Sequence, residues 1–297
     1  MDLNGDGNLD ILSGSYSRMS QPMAGLFQVL WGKQDGTFSR PEVLKGTDGQ
    51  PLIIPAGDGD DVERICTRPF AVDWNQDGVL DLVVGNFAGS FYLFLGKEPG
   101  RFVPKAEKIR AGDQPLTLEG RHSDPFLIDW DGDGDLDLLS GSAQGGVYWS
   151  ENKAGAGKTP ELTPFQVLIE PSREQYLRAN DLGATGTVRE GALAGPAGST
   201  RVWADDINGD GKLDILVGDM VTLRSLAEGL TEEQVKQKQA EWKKEYDQLL
   251  KDWSAAAKAQ DTEKQRTLSR RLRELMASKT NFLHEEMTGF VWVYFQK

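Results

Sequence analysis

Residues 129–137 read DWDGDGDLD, and the reading of this stretch decides the reading of the chain. Its skeleton, D-x-[ND]-x-D-G-x-L-D, occurs three more times without a register error: DLNGDGNLD at Asp2–Asp10, DWNQDGVLD at Asp73–Asp81 and DINGDGKLD at Asp206–Asp214. Three or four apolar or small residues follow each copy. A Gly then falls twelve places after the first Asp, at Gly14, Gly85, Gly141 and Gly218. Agreement of this kind, repeated four times, marks an internal repeat rather than a set of hydrophilic turns.

The spacing suits a hard cation. Calcium takes six to eight oxygen ligands at about 2.3–2.6 Å, and a tight loop can turn alternate side chains toward one point. Positions 1, 3 and 5 supply Asp2, Asn4 and Asp6 in the first copy and Asp73, Asn75 and Asp77 in the second. They supply Asp129, Asp131 and Asp133 in the third, and Asp206, Asn208 and Asp210 in the fourth. Position 6 is always glycine (Gly7, Gly78, Gly134, Gly211), which permits the sharp turn. Position 7 varies freely, as Asn8, Val79, Asp135 and Lys212, so its contribution is expected from the backbone carbonyl. Asp10, Asp81, Asp137 and Asp214 close each site at position 9. Up to four Ca2+ ions are expected. An EF-hand would need a bidentate Glu at position 12 and flanking helices. Position 12 is Ser13, Val84, Ser140 or Val217, inside strand-like runs, which excludes it.

Short apolar runs lead into the loops (PFAVD, PFLID, RVWAD) and leave them (LDLVVG, LDLLSG, LDILVG), and Gly-led runs such as GSFYLFL and GGVYWS follow. Further short runs, GTFSRPEVL, GRFVPKAEKI and PFQVLI, complete units of four strands. The loops and their strands resemble the FG-GAP/VCBS repeat family, whose units are four-stranded propeller blades with calcium between strands one and two. The resemblance implies an all-β propeller with four blade units in this chain, and it implies the same loop ligands. The first and last units are incomplete: Met1 abuts Asp2, and the chain stops after GFVWVYFQK. That reads as the C-terminal part of a longer parent or a gene start at an internal Met, or else as a four-bladed ring with a three-stranded last blade. Lacking a strand before it, the first loop is expected to order poorly and to hold its ion weakly.

Blades one to three and the start of blade four are assigned to residues 1–218, an insertion to 219–288 and the closing strand to 289–297. The insertion opens on a capping box at Thr231–Gln234, and apolar residues recur at Val235, Trp242, Tyr246, Leu249, Trp253 and Ala256. A second match at Thr262–Gln265 opens a helix with Leu268, Leu272, Leu275 and Phe282 on one face. Two antiparallel helices of about 40 Å each are expected, a coiled-coil-like hairpin. Its seam is wide enough for one partner helix, which favours an appendage over a docking or dimerisation arm. The stretches 46–62 and 170–199 read as irregular loops, and the acidic run Gly57–Glu63 as an exposed loop rather than another metal site.

The net charge of −13 argues against nucleic acid as a partner. Between Thr231 and Met287 there are 12 basic and 11 acidic residues, so the acidity lies in the strand-rich part. The single cysteine, Cys66, excludes an internal disulfide and reads as a small core residue. No apolar run is long enough to span a membrane. The parent is expected at the cell surface, outside the cell or in the periplasm. Three functions fit: a calcium-stiffened platform for a carbohydrate, cell-surface or protein partner; a lyase- or dehydratase-like enzyme working on a sugar in a central funnel; and a structural spacer. Enzyme chemistry has little support, since His122 and His284 are the only histidines and no nucleophile, phosphate or zinc motif occurs. No catalytic residue is assigned.

Overall fold

The computed structural model describes residues 1–16, 23–55, 62–172 and 187–297. Residues 57–61 of the acidic run and 173–186 of the 170–199 loop lie outside the described residues. The protein is mostly β, with several antiparallel sheets and two helices, and it divides into two compact units.

The first unit comprises Met1–Pro171, Gly198–Asp219 and Val291–Lys297. The second, third and fourth Asp-rich segments each join two neighbouring strands of one sheet, because Asn, Asp and Gly favour turns while the apolar runs around them pair; the first leads into Ile11–Ser13. The first sheet has three strands, Ile11–Ser13, Gln28–Leu30 and Glu42–Val43. The second orders Arg68–Val72, Asp81–Gly85, Phe91–Phe94 and Glu107–Lys108, and the third Asp124–Ile128, Asp137–Gly141, Val147–Ser150 and Gln166–Ile169. In the fourth, Gly198–Asp205 lies beside Asp214–Leu226, whose first half pairs with Val291–Tyr294 in the register Ile215↔Tyr294 to Gly218↔Val291.

Strand periodicity explains how the sheets pack. Side chains alternate between faces, so Leu82 and Val84 join the core shared with Phe27, Val29 and Leu44 of the first sheet. Val83, between them, joins Leu127 and Leu138 of the third. Leu139 in turn meets Val202, Ala204, Ile215 and Val217 of the fourth. Each core therefore fills the space between consecutive sheets. Among the described residues, no core cluster joins the first sheet to the fourth, and no closed ring of sheets is present.

Backbone staples link the same sheets. Thr67, Ser123 and Thr200 stand six residues before a loop's first Asp, and each side-chain oxygen accepts from the amide that follows the preceding unit's repeat glycine. The distances are 2.7 Å from Ser15, 2.8 Å from Asn86 and 2.8 Å from Ser142. The amides of Thr67, Ser123 and Thr200 donate back to the carbonyls of those residues at 2.9–3.0 Å. The glycines permit this approach. A Cβ at Gly14, Gly85 or Gly141 would lie 1.7, 2.3 or 2.2 Å from the carbonyl oxygen of Thr67, Ser123 or Thr200. At Gly218 the nearest atom would be the Arg201 Cβ, 3.9 Å away.

The second unit contains Met220–Phe290 and residues from the 172–197 stretch. Helix α1 is Glu232–Lys258 and helix α2 is Thr262–Ser278. The Thr231–Gln234 capping box forms in full, and Val235, Trp242, Leu249 and Ala256 are buried seven residues apart. Trp242 Nε1 donates to the Leu275 carbonyl at 2.7 Å and Trp253 Nε1 to Ser269 Oγ at 3.0 Å, which fastens the two helices together.

Three details differ from the sequence reading. Asp261, not Thr262, caps α2, with its carboxylate accepting from the Lys264 amide. With 17 residues α2 is about 25 Å long, against about 40 Å for the 27 of α1. Phe282 follows α2 and is buried against Trp242 and Val235. The insertion is also not wholly helical: Val221–Leu226 pairs with Leu283–Thr288 as a two-stranded ribbon, and Val188 bridges to Arg224 in what read as an irregular loop. Val221 and Leu223 keep a period of two for one step and Leu226 breaks it, which is too little to stand out beside 27 residues of helix. Arg224 and Lys279 bond Glu285 at 2.9 and 2.7 Å on this ribbon. Burial would raise the Glu285 carboxyl, yet these two bonds hold it below its ordinary value.

Candidate metal centres

Each loop is built on one hydrogen-bond scaffold. The first Asp reaches across the turn and accepts the position-6 amide: Gly7 on Asp2 at 2.8 Å, Gly78 on Asp73 at 2.9 Å, Gly134 on Asp129 at 3.1 Å and Gly211 on Asp206 at 2.9 Å. The position-5 amide donates to the side-chain oxygen at position 3, from Asp6 to Asn4, Asp77 to Asn75, Asp133 to Asp131 and Asp210 to Asn208, at 2.8–3.2 Å. The position-7 amides of Asn8, Val79, Asp135 and Lys212 donate to Asp6, Asp77, Asp133 and Asp210 at 2.8–3.1 Å. The amides thus draw the odd-numbered side chains to one side of the turn. Glycine at position 6 adopts φ of 86° to 94°. Position 4 needs a positive φ as well, supplied by Gly5, Gly132 and Gly209 and, at 57°, by Gln76. Gln76 also donates to the Gly134 carbonyl at 3.1 Å, so the second loop leans on the third.

Position 9 does more than close a site. Asp10, Asp81, Asp137 and Asp214 are buried. One oxygen accepts the amide at the end of the third strand: Gly32 at 2.8 Å, Gly96 at 2.7 Å, Asn152 at 2.7 Å and Gln296 at 3.0 Å. In the first, third and fourth copies the other oxygen accepts the position-2 amide of Leu3, Trp130 or Ile207 at 2.8–3.1 Å. These carboxylates pin loop to sheet, and Asp214 Oδ2 accepts a second amide as well, that of Asn208 at 3.3 Å. The same bonds revise the reading of the first loop. Leu3 is buried in the first core, and the Asp10 amide donates to the Met1 carbonyl, so that loop is anchored on both sides.

The third loop differs in charge. Oxygens of Asp129, Asp131 and Asp133 come within 4.8 Å of one another. Burial, and then repulsion from Asp133, Asp129 and Glu151, pushes the Asp131 carboxyl up. Burial, reinforced by Asp131, pushes Asp137 up to about 6. In the other loops position 3 is Asn, and its Nδ2 donates to the position-5 carboxylate at 3.0–3.1 Å. Asp131 has no such proton to offer. Asp135 adds a buried carboxylate whose Oδ2 accepts the Gly155 amide at 2.6 Å while Oδ1 has no partner. An all-oxygen donor set, crowded carboxylates and an orphaned buried oxygen fit a hard cation.

Residues 73–140 match the model of the FG-GAP-like repeat. The chain carries an FG-GAP-like repeat. The matched stretch runs from the second loop through the third loop and into the strand that follows it. No curated protein matches the chain significantly. Away from the loops, His122 sits at φ 54° with its ring 4.5 Å from that of Phe87. Burial, and then the guanidiniums of Arg68, Arg201 and Arg121, push it down to about 4. Cys66 is buried and free, and burial pushes its thiol up. Among the described residues no helix is long and apolar enough to cross a membrane.

Proposed function

We propose that the four loops each hold one Ca2+ and stiffen a propeller-type binding or scaffold module for a carbohydrate, cell-surface or protein partner outside the cell or in the periplasm. The observation that carries this reading is the recurrence of one amide scaffold in all four loops, with the third loop's carboxylates converging uncompensated. Asp2, Asn4, Asp6 and Asp10, and their counterparts in the other loops, would hold the ion, together with the carbonyls of Asn8, Val79, Asp135 and Lys212. Calcium when bound would supply the positive charge these turns lack. The propeller part of the reading is supported by cores lying between consecutive sheets and by staples that join each unit to the next.

Calorimetric titration of chelator-stripped protein tests the proposal. Four calcium ions per chain, with a large rise in melting temperature, are expected. No heat of binding and a melting curve indifferent to excess EGTA would sink it.

A further inference from the structure

The starts of the first strands carry a second constellation, at the opposite end of those strands from the loops. Arg68, Asp124 and Arg201 all stand five residues before a loop's first Asp, in consecutive sheets. Asp124 lies between the two guanidiniums, 3.7 Å from Arg68 Nε and 3.3 Å from Arg201 Nε. One carboxylate thus faces two cations. Arg68 Nη1 is taken by the His122 carbonyl at 3.1 Å, and Arg201 Nη1 by the Thr200 carbonyl at 2.9 Å. The Nη2 amine of each has no hydrogen-bond partner among the described residues. His122 beside them adds an imidazole that burial, and then the surrounding guanidiniums, keep neutral. In a chain of net charge −13, this is a local excess of positive charge.

Two residues further along the same strands, on the same face, stand Phe70, Phe126 and Trp203. Their rings form a ladder, 5.3 Å from Phe70 to Phe126 and 5.1 Å from Phe126 to Trp203. The ladder ends at Trp203, which is 53% exposed although its neighbours Val202 and Ala204 are buried. An open indole held in place by a ring behind it, one strand repeat from a guanidinium with unused donors, matches a ring with an apolar face and a carboxylate. The geometry points to a binding site for a carboxylated sugar, a uronic acid, with Trp203 under the pyranose ring and Arg201 and Arg68 on the carboxylate. Guanidinium recognises carboxylate through paired N–H donors, and an aromatic face buries apolar surface at little entropic cost. This rests on reading the chain as a binding module, and it names the ligand class and the residues.

The test uses methyl β-D-glucuronoside and, as its uncharged twin, the methyl ester of the same compound. Binding to the calcium-treated full chain is followed by saturation-transfer NMR and by titration. The acid is expected to bind at least ten-fold more tightly than the ester, with Arg201→Gln and Trp203→Ala each weakening it about ten-fold. Terbium luminescence at the loops, measured on the same samples, separates failure of this site from failure of the metal reading. If Arg201→Gln does not fold, Trp203→Ala at its exposed position still decides. Equal affinity for acid and ester, binding unchanged in both variants, no binding at all, or capture of a poly-glutamate peptide in place of the sugar would overturn the assignment.

Discussion

Gly141→Ala should destabilise the protein far more than Gly218→Ala, although both glycines hold the same place in the repeat. A Cβ at 141 would lie 2.2 Å from the Thr200 carbonyl oxygen and 2.5 Å from its carbon, against about 3.5 Å for an ordinary carbon contact. The obstacle is backbone, fixed by reciprocal bonds to Ser142 at 2.8 and 2.9 Å, so no side chain can swing away. The sheets must separate or the staple must break. Overpacking costs about 1–3 kcal/mol and a lost hydrogen bond about 0.5–1.5 kcal/mol, so roughly 2–4 kcal/mol is expected. For a folding unit of this size that is a fall of about 5–15 °C in Tm. At Gly218 the nearest atom is 3.9 Å away, and neither glycine has positive φ. Alanine there should be neutral or stabilise by a few tenths of a kcal/mol through reduced unfolded-state entropy. Circular-dichroism melts of both variants in saturating calcium make the comparison. Similar shifts would refute the idea that the glycine serves the sheet that follows it.

Stripping calcium should lower Tm by about 10–20 °C. At ~1 mM free ion and a Kd of ~0.1 mM each site contributes about 1.4 kcal/mol, or about 5–6 kcal/mol for four, and a scan in EGTA without magnesium reads it. The third loop, with one more carboxylate than the others at position 3, should bind most tightly of the four, and Asp131→Asn, which gives it the amide donor the other loops have, should bring it level with them in a titration. Glu285→Gln should destabilise the insertion by leaving Arg224 and Lys279 without their anion. Because Glu285 titrates below its unfolded value, its contribution is complete above the ordinary Glu pKa and is lost as pH falls through the lower folded one; a pH series of melts on protein and variant should show that loss in the former alone. His122 titrates far below its unfolded value, at about 4, so stability should rise with pH between about 4 and 6.5 as the unfolded chain releases its proton. His122→Asn, which tolerates the positive φ, should flatten that slope in the same series.

What was legible in the sequence was local. Four nine-residue loops carry their own turn chemistry, and the apolar runs beside them carry their own period, so loops, strands and the Thr231 cap follow from nearest neighbours. The staples are not local. Thr67, Ser123 and Thr200 recur in register, but a hydroxyl before a strand means nothing until the preceding unit's glycine brings a carbonyl beside it. Position 9 shows the same limit: a buried Asp that accepts the amide of Gly32 or Asn152 looks, in sequence, like one more ligand. The ribbon of the insertion was hidden for another reason. The six-residue strand Val221–Leu226 does not alternate cleanly, since buried Arg224, held by Glu285, puts charge where hydrophobicity is expected.

The metal loops and the arginine–tryptophan constellation share their strands, and the distance between them limits how one can act on the other. From Arg201 to Asp206 is five residues, about 17 Å of strand. Interactions between exposed charges fall off over about 8 Å at physiological salt, so neutralising a loop changes the field at the guanidiniums little. Coupling between the ends must therefore be mechanical. In the third and fourth units the position-9 carboxylates hold the turn that the first strand enters, and the staples at Ser123 and Thr200 hold that strand at its other end, one residue before Asp124 and Arg201. Loosening a loop frees the register of a strand whose other end is held to the neighbouring sheet. The guanidinium pair and the aromatic ladder both require the first strands of three consecutive sheets to start level, which is why the loops can matter to a site they do not touch.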